Sequence, residues 1–172
     1  MAPTTVVVIS DTHLRDRGQV GKPARWLPET LLDHLAGADF ILHAGDVVEP
    51  GVLDRLRRYA PVHAVLGNND HALAGQLPPA AVADLAGVRI GLVHDSGRSQ
   101  GRATRLKRMF PDCPVVVFGH SHVPLAERGV DGQLLFNPGS PTQRRRQPYP
   151  TFGILELDSG RVLGHRLVTA GR

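Results

Sequence analysis

VVVISDTH, residues 6–13, is a β-branched apolar run that stops on a carboxylate and an imidazole two positions apart. A continuous run of this kind reads as a strand buried on both faces, as in a parallel sheet. Four later stretches repeat the device: FILHAGD (40–46), VHAVLGNND (62–70), RIGLVHD (89–95) and VVVFGHSH (115–122). In each, the polar residues follow the carboxyl end of the run. Such strand ends gather on one edge of a sheet, so Asp, His and Asn side chains from distant segments meet there. That meeting predicts a metal site.

Between these runs the pattern alternates strand with helix. Residues 4–9 read as a strand, and 23–36 as a helix entered by Pro23, with Leu27, Leu31, Leu32 and Leu35 at helical spacing. A strand at 40–43, a helix at 51–59 and a strand at 62–66 continue the βαβ plan. Ala86-Gly87 separates 81–85 from 88–93 as a hairpin, and a basic helix at 101–110 precedes a strand at 114–118. Strands at 123–127, 133–136, 151–157 and 162–168 follow, with turns at 130–132 and 158–160. The expected fold class is α/β, with this carboxyl-terminal stretch forming a second sheet packed on the first. The patternless segments 12–21 and 137–150 both follow candidate site residues, where long loops are commonly functional.

The length of 172 residues predicts one domain, 1–172, able to bury a core without staples. Cys113 is the only cysteine, so an intrachain disulfide and the cysteine-rich zinc patterns are both excluded. Any metal must rest on nitrogen and oxygen. The first apolar run has no basic residues ahead of it and breaks at Ser10 and Asp11. No run approaches the ~20 apolar residues of a membrane span. The expectation is a cytoplasmic protein with no membrane contact. A net charge of +4 is concentrated in Arg55, Arg57 and Arg58, in Arg102, Arg105 and Arg108, and in Arg144, Arg145 and Arg146. Excess cation favours anionic partners such as phosphate esters. No aromatic-rich face accompanies it, which argues against a nucleic-acid partner.

Taken singly, D-x-H at Asp11 and His13 or H-x-H at His120 and His122 is a weak signal, and loop polarity explains it as well. The joint order is D-x-H, then G-D ending on Asp46, then G-N, where Gly67 allows a sharp turn before Asn68, then His94, then G-H-x-H. It resembles the calcineurin-like metallophosphoesterase superfamily. The Asn137-Pro138-Gly139-Ser140 segment and the chain length narrow the resemblance to its small single-domain bacterial and archaeal phosphodiesterase branch. The likeness extends from residue 6 to about 157.

What the resemblance implies is an αββα sandwich carrying two ions. Asp11, His13 and His122 would hold the first, Asn68, His94 and His120 the second, and Asp46 would bridge them. Physical chemistry agrees, since ions ~3.5–4 Å apart need a shared carboxylate to offset their repulsion. Mixed nitrogen and oxygen donors suit Mn, Fe, Co, Ni or Zn better than Mg or Ca, with manganese the first choice. A hydroxide between the ions would attack phosphorus while the ions absorb developing charge. The implied activity is hydrolysis of small phosphodiesters. Alternatives are a phosphomonoesterase, or a non-catalytic scaffold like the retromer subunit of the same fold. The oligomeric state is open, a homodimer included.

Several positions carry finer expectations. Many members of the superfamily have histidine after the ligand asparagine, whereas this chain has Asn69, which can donate to phosphate oxygen but supplies no proton. Asn69 and Asp46 are the expected catalytic groups, and Asn69 and Arg146 the expected substrate contacts. His71 is a candidate substitute for the missing acid, against a plain surface role. Asp95, where relatives more often have glycine, either orients His94 or is a turn residue. His43 and His63 read as core or supporting residues, His34 and His165 as surface, and Asn137 as a neighbour of the ions.

Overall fold

The computed structural model describes residues 2–15 and 25–171. Strand β1 (Thr4–Ile9) lies at the centre of one sheet, parallel to β2 (Phe40–His43), which is parallel to β3 (Val62–Ala64). The second sheet contains the hairpin β4 (Ala80–Leu85) and β5 (Val88–Val93), then β6 (Val115–Val117), β7 (Leu125–Arg128) and β8 (Leu134–Asn137). Its order is β4-β5-β6-β8-β7, with β5, β6 and β8 parallel.

The last hairpin corrects one expectation. β9 (Thr151–Asp158) pairs antiparallel with β1, and β10 (Arg161–Thr169) forms the edge beyond it. The carboxyl-terminal stretch is therefore divided between the sheets. The reason lies in β9 itself: Phe152 and Ile154 point to one apolar layer and Leu155 and Leu157 to the other. A strand apolar on both faces needs cover on both, and the place beside β1 provides it.

Three apolar layers hold the αββα arrangement together. Val6, Val8, Leu42, Ile90, Val115, Val117 and Phe136 meet between the sheets. Val7, Ile9 and Ile41 face α1 (Glu29–Ala36) and α2 (Pro50–Leu56), while Val116 and Phe118 face α3 (Arg102–Met109). α1 starts later than its leucine spacing suggests. Pro28 is the residue before its first turn, at φ −58° and ψ 147°, and a proline pushes the preceding residue, Leu27, out of helix. Residues 23–24 of that expected helix and 16–21 of the expected loop lie outside the described residues. In the β4–β5 turn Ala86 and Gly87 both have positive φ, as a tight type I′ hairpin requires. No helix among the described residues is long and apolar enough to cross a membrane.

Candidate metal centre

The parallel strands of both sheets end on one edge, and backbone bonds continue beyond the strands to fix the loops there. Asp11 N–H donates to Gly45 O at 2.9 Å and His13 N–H to Asp46 O at 3.0 Å, while Gly119 N–H donates to His94 O at 2.9 Å. Asp11, His13, Asp46, His120 and His122 all take left-handed backbone, with φ from 46° to 68°. Each such residue costs about 1 kcal/mol or more. A cluster of five on one edge marks a surface shaped for something other than stability.

All seven expected ligands come together. Asp11 Oδ1 lies 3.4 Å from His122 Nε2 and 4.0 Å from both His13 Nε2 and His94 Nε2. Asp46 Oδ2 lies 3.4 Å from His13 Nε2 and 3.5 Å from His94 Nε2, between the two histidine sets. Asn68 Oδ1 is 3.0 Å from His94 Nε2 and 3.0 Å from His120 Nδ1. Asp11 Oδ1 is buried and has no hydrogen-bond partner. An unpaired buried carboxylate oxygen is costly, and a cation among these nitrogens would relieve it. The residues fit a divalent ion held by nitrogen and oxygen.

Neighbours aim these donors. His122 Nδ1 is 2.6 Å from Gln143 O, and His94 Nδ1 is 2.7 Å from Ala44 O. A carbonyl only accepts, so each Nδ1 carries the proton and each Nε2 lone pair faces the cluster. Ser10 Oγ–H and the His120 N–H both donate to Asp11 Oδ2, at 2.8 and 3.0 Å. Burial pushes the Asp11 carboxyl above its usual range, opposed by the Ser10 bond and by His94 and His122. Burial also lowers His13, against the pull of Asp46 and Asp11, with His122 and the Arg145 guanidinium acting in the same sense as burial. For Asp46, burial works upward, but two bonds from Asn69 and the His94 and His13 rings outweigh it and hold the carboxyl below its usual range.

Two supports escaped the sequence reading. Asp70, 1% exposed, accepts the N–H groups of Asp46, Gly67 and Val48 at 2.9, 2.7 and 2.7 Å. Its place two residues after the ligand asparagine was the available signal. The other is Gly119, where a Cβ would stand 1.9 Å from Ser10 Oγ, so glycine lets the two sheets close at this edge. Gly67, expected as a sharp-turn residue, does not have positive φ. It is glycine because a Cβ there would stand 2.1 Å from the Asp46 amide nitrogen.

Other positions fall as follows. Asn69 directs its main-chain N–H and one N–H of its side-chain amide to Asp46: the first reaches Oδ1 at 2.9 Å and the second, from Nδ2, reaches Oδ2 at 2.7 Å. Asp95 is exposed and accepts the Gly97 N–H at 2.7 Å, while Ala44 O orients His94, so Asp95 is the turn residue. His43 is fully buried beside Thr12, and burial drives its pKa down to about 3. His63 is exposed, not core, and packs against Phe40; it sits on β3, the edge strand of its sheet. His71 is exposed at the start of a short 3₁₀ turn, His71–Leu73. Asn137 donates to Gly119 O at 3.0 Å, bracing the loop that carries His120 and His122. Arg144 donates to Gln147 O at 2.6 Å, and Arg145 and Arg146 are exposed.

An αββα sandwich whose strand ends gather acids, imidazoles and an asparagine around a buried unpaired oxygen is the frame of a metal-dependent phosphoesterase. The family model of the calcineurin-like phosphoesterase superfamily domain matches residues 5–160, and the chain belongs to that superfamily. A probable metallophosphoesterase of Methanocaldococcus jannaschii is 37% identical, covering 94% of this chain and 79% of the relative. One from Methanothermobacter thermautotrophicus is 33% identical, covering 95% and 91%. Among solved structures, vacuolar protein sorting 29 of Cryptosporidium parvum superposes with TM-score 0.75 at 20% identity, covering 98% of this chain and all of that one. A structure described as a novel archaeal phosphodiesterase gives TM-score 0.69 at 20% identity, covering 96% and 99%. These two likenesses show the shared fold.

Proposed function

We propose that this protein hydrolyses phosphodiester bonds of small substrates at a centre for two divalent transition-metal ions, manganese first among them. The observation that carries the reading is Asp11 Oδ1, buried without a partner and facing the Nε2 atoms of His13, His94 and His122. Asp11, His13 and His122 would hold one ion, Asn68, His94 and His120 the other, and the position of Asp46 Oδ2 between His13 and His94 supports its role as the bridge. Bound there, the ions would lower the pKa of water toward neutrality and offset charge on phosphate oxygens.

The chain's own residues supply the rest. Gln143 O and Ala44 O fix the imidazoles, and Asn69 fixes Asp46. With its amide so engaged, Asn69 acts as a positioning residue, and the centre lacks a proton donor at that place. Good leaving groups are accordingly preferred. Arg146 remains the candidate phosphate contact, in a loop whose Arg145 also acts on His13. The archaeal structural neighbour described as a phosphodiesterase supports the diester reading over the monoester one. The cytoplasm is the proposed compartment.

The test is metal analysis of purified protein with a panel of diesters and monoesters under Mn²⁺, for the wild type and Asp46→Ala. Diester turnover that Asp46→Ala abolishes supports the reading. No stoichiometric metal and no hydrolysis would favour a scaffold of the same fold, the reading that the vacuolar protein sorting 29 neighbour suggests.

A further inference from the structure

A cleft of about 310 Å³ opens beside one half of the ligand cluster. Asn68, His94 and His120 form its inner end, and Leu66, Pro79 and Val93 give it apolar walls. Asp95 contributes its one acidic group. One Asp95 oxygen accepts the Gly97 N–H at 2.7 Å, which holds the carboxylate in a fixed turn. The other has no partner among the described residues, and the side chain is exposed.

We propose that this cleft receives one ester arm of the substrate, an apolar arm ending in an ammonium or hydroxyl group, and that Asp95 selects it against an arm bearing a second phosphate. This rests on the phosphodiesterase reading above. A phosphoryl group held at the donor cluster projects its substituents outward, and the arm nearest Asn68, His94 and His120 enters the cleft. Leu66, Pro79 and Val93 bury its methylenes. The free Asp95 oxygen attracts a cationic end by charge or accepts from a hydroxyl, whereas a terminal phosphate would meet a carboxylate with no cation among the cleft-lining residues to offset it.

The experiment compares two 4-nitrophenyl diesters with Mn²⁺: 4-nitrophenyl phosphorylcholine, and the matching ester whose arm ends in phosphate. Their leaving group is the same, so only the arm varies. Wild type should prefer the choline ester in kcat/KM, and Asp95→Asn should reduce that preference about two- to fivefold, mostly through KM, as for an exposed charge pair. Pro79→Lys, which places a cation on the exposed wall of the same cleft, should reduce it in the same direction. In metal-free protein, benzyltrimethylammonium should shift the amide resonances of Val93 and Asp95, more weakly in Asp95→Asn. Turnover of both esters with an unchanged preference in both variants overturns the subsite alone. Hydrolysis of neither ester by wild type with Mn²⁺, Zn²⁺ or Ni²⁺ overturns the phosphodiesterase reading, and the subsite with it.

Discussion

Replacing Asp70 with alanine removes the acceptor of three buried or part-buried backbone N–H groups, those of Asp46, Gly67 and Val48. Hydrogen bonds to a charged group are each worth about 1.5–3 kcal/mol net, and donors left unpaired cost a comparable amount. Water can reach the Val48 bond more readily than the other two, since it is only part-buried. A loss of about 4 kcal/mol is therefore expected, at the upper end for a single substitution. Asp70→Asn keeps the shape but turns an NH₂ toward a backbone donor, and about 2 kcal/mol is expected. Two of the three anchored residues, Asp46 and Val48, are in left-handed backbone at φ 56° and 87°. Releasing them should move the Asp46 carboxylate as well. Urea unfolding of EDTA-treated protein reads the stability, and competition with a chromophoric chelator reads the metal affinity, which should fall at least tenfold, as for other residues that support metal ligands. An Asp70→Asn variant within 0.5 kcal/mol of wild type and with wild-type affinity would refute the reasoning, the smaller figure being the ordinary scatter of surface changes.

Four further outcomes are expected. His43 titrates near 6.5 unfolded and about 3 folded, so between those values the unfolded chain binds the extra proton. Stability of the metal-free protein should fall as pH drops through that window, by up to ~1.4 kcal/mol per unit from this group; His43→Gln should flatten the slope by about one proton, and an unchanged slope would show that another group governs it. Gly67→Ala places a methyl 2.1 Å from the Asp46 amide nitrogen and should cost about 1–3 kcal/mol of stability or more, read as a lower urea midpoint, with wild-type stability counting against the packing argument. Mn²⁺, Ni²⁺ or Zn²⁺ in large excess over Kd should stabilise EDTA-stripped protein by about 3–4 kcal/mol, read as a rise in Tm that His122→Ala diminishes; a Tm indifferent to all three ions contradicts the fit. Because Asn69 supplies no proton, rates across aryl diesters should rise steeply with leaving-group acidity, the absent acid being worth ~10²–10⁴-fold on poor leaving groups, and a shallow dependence would reveal a donor elsewhere.

The fold was legible where periodicity alone decides an element. β1, β5 and the 86–87 hairpin appear where their β-branched runs and turn residues put them, since a strand buried on both faces has few other places to go. What periodicity could not decide was partnership. Residues 151–157 carry a strand pattern that fits either sheet. Only the apolar character of both its faces, set against an open side of β1, selects the first sheet. Leu27 shows the complementary limit, for it has helical spacing and is buried, yet Pro28 keeps it out of α1.

The meeting of the seven expected ligands was legible because all of them follow strand ends, so that strand order alone brings them to the edge. The supporting groups do not follow strands in that way. Ala44 O and Gln143 O act through the main chain, which no residue type reveals. By residue type Asp70 is one more loop acid and Gly67 a turn residue, because the close approach of residues 46 and 67 exists only after β2 and β3 are aligned. Asn69 is the most instructive of these. Its residue type says that it can donate to a phosphate, while its main-chain N–H and one N–H of its side-chain amide already close on the two oxygens of Asp46. A carboxylate placed between two histidine sets must keep a fixed orientation, and burial works against its charge. Two bonds from one neighbouring residue answer both needs, which gives a physical reason for asparagine at this place even though it leaves the centre without an acid there.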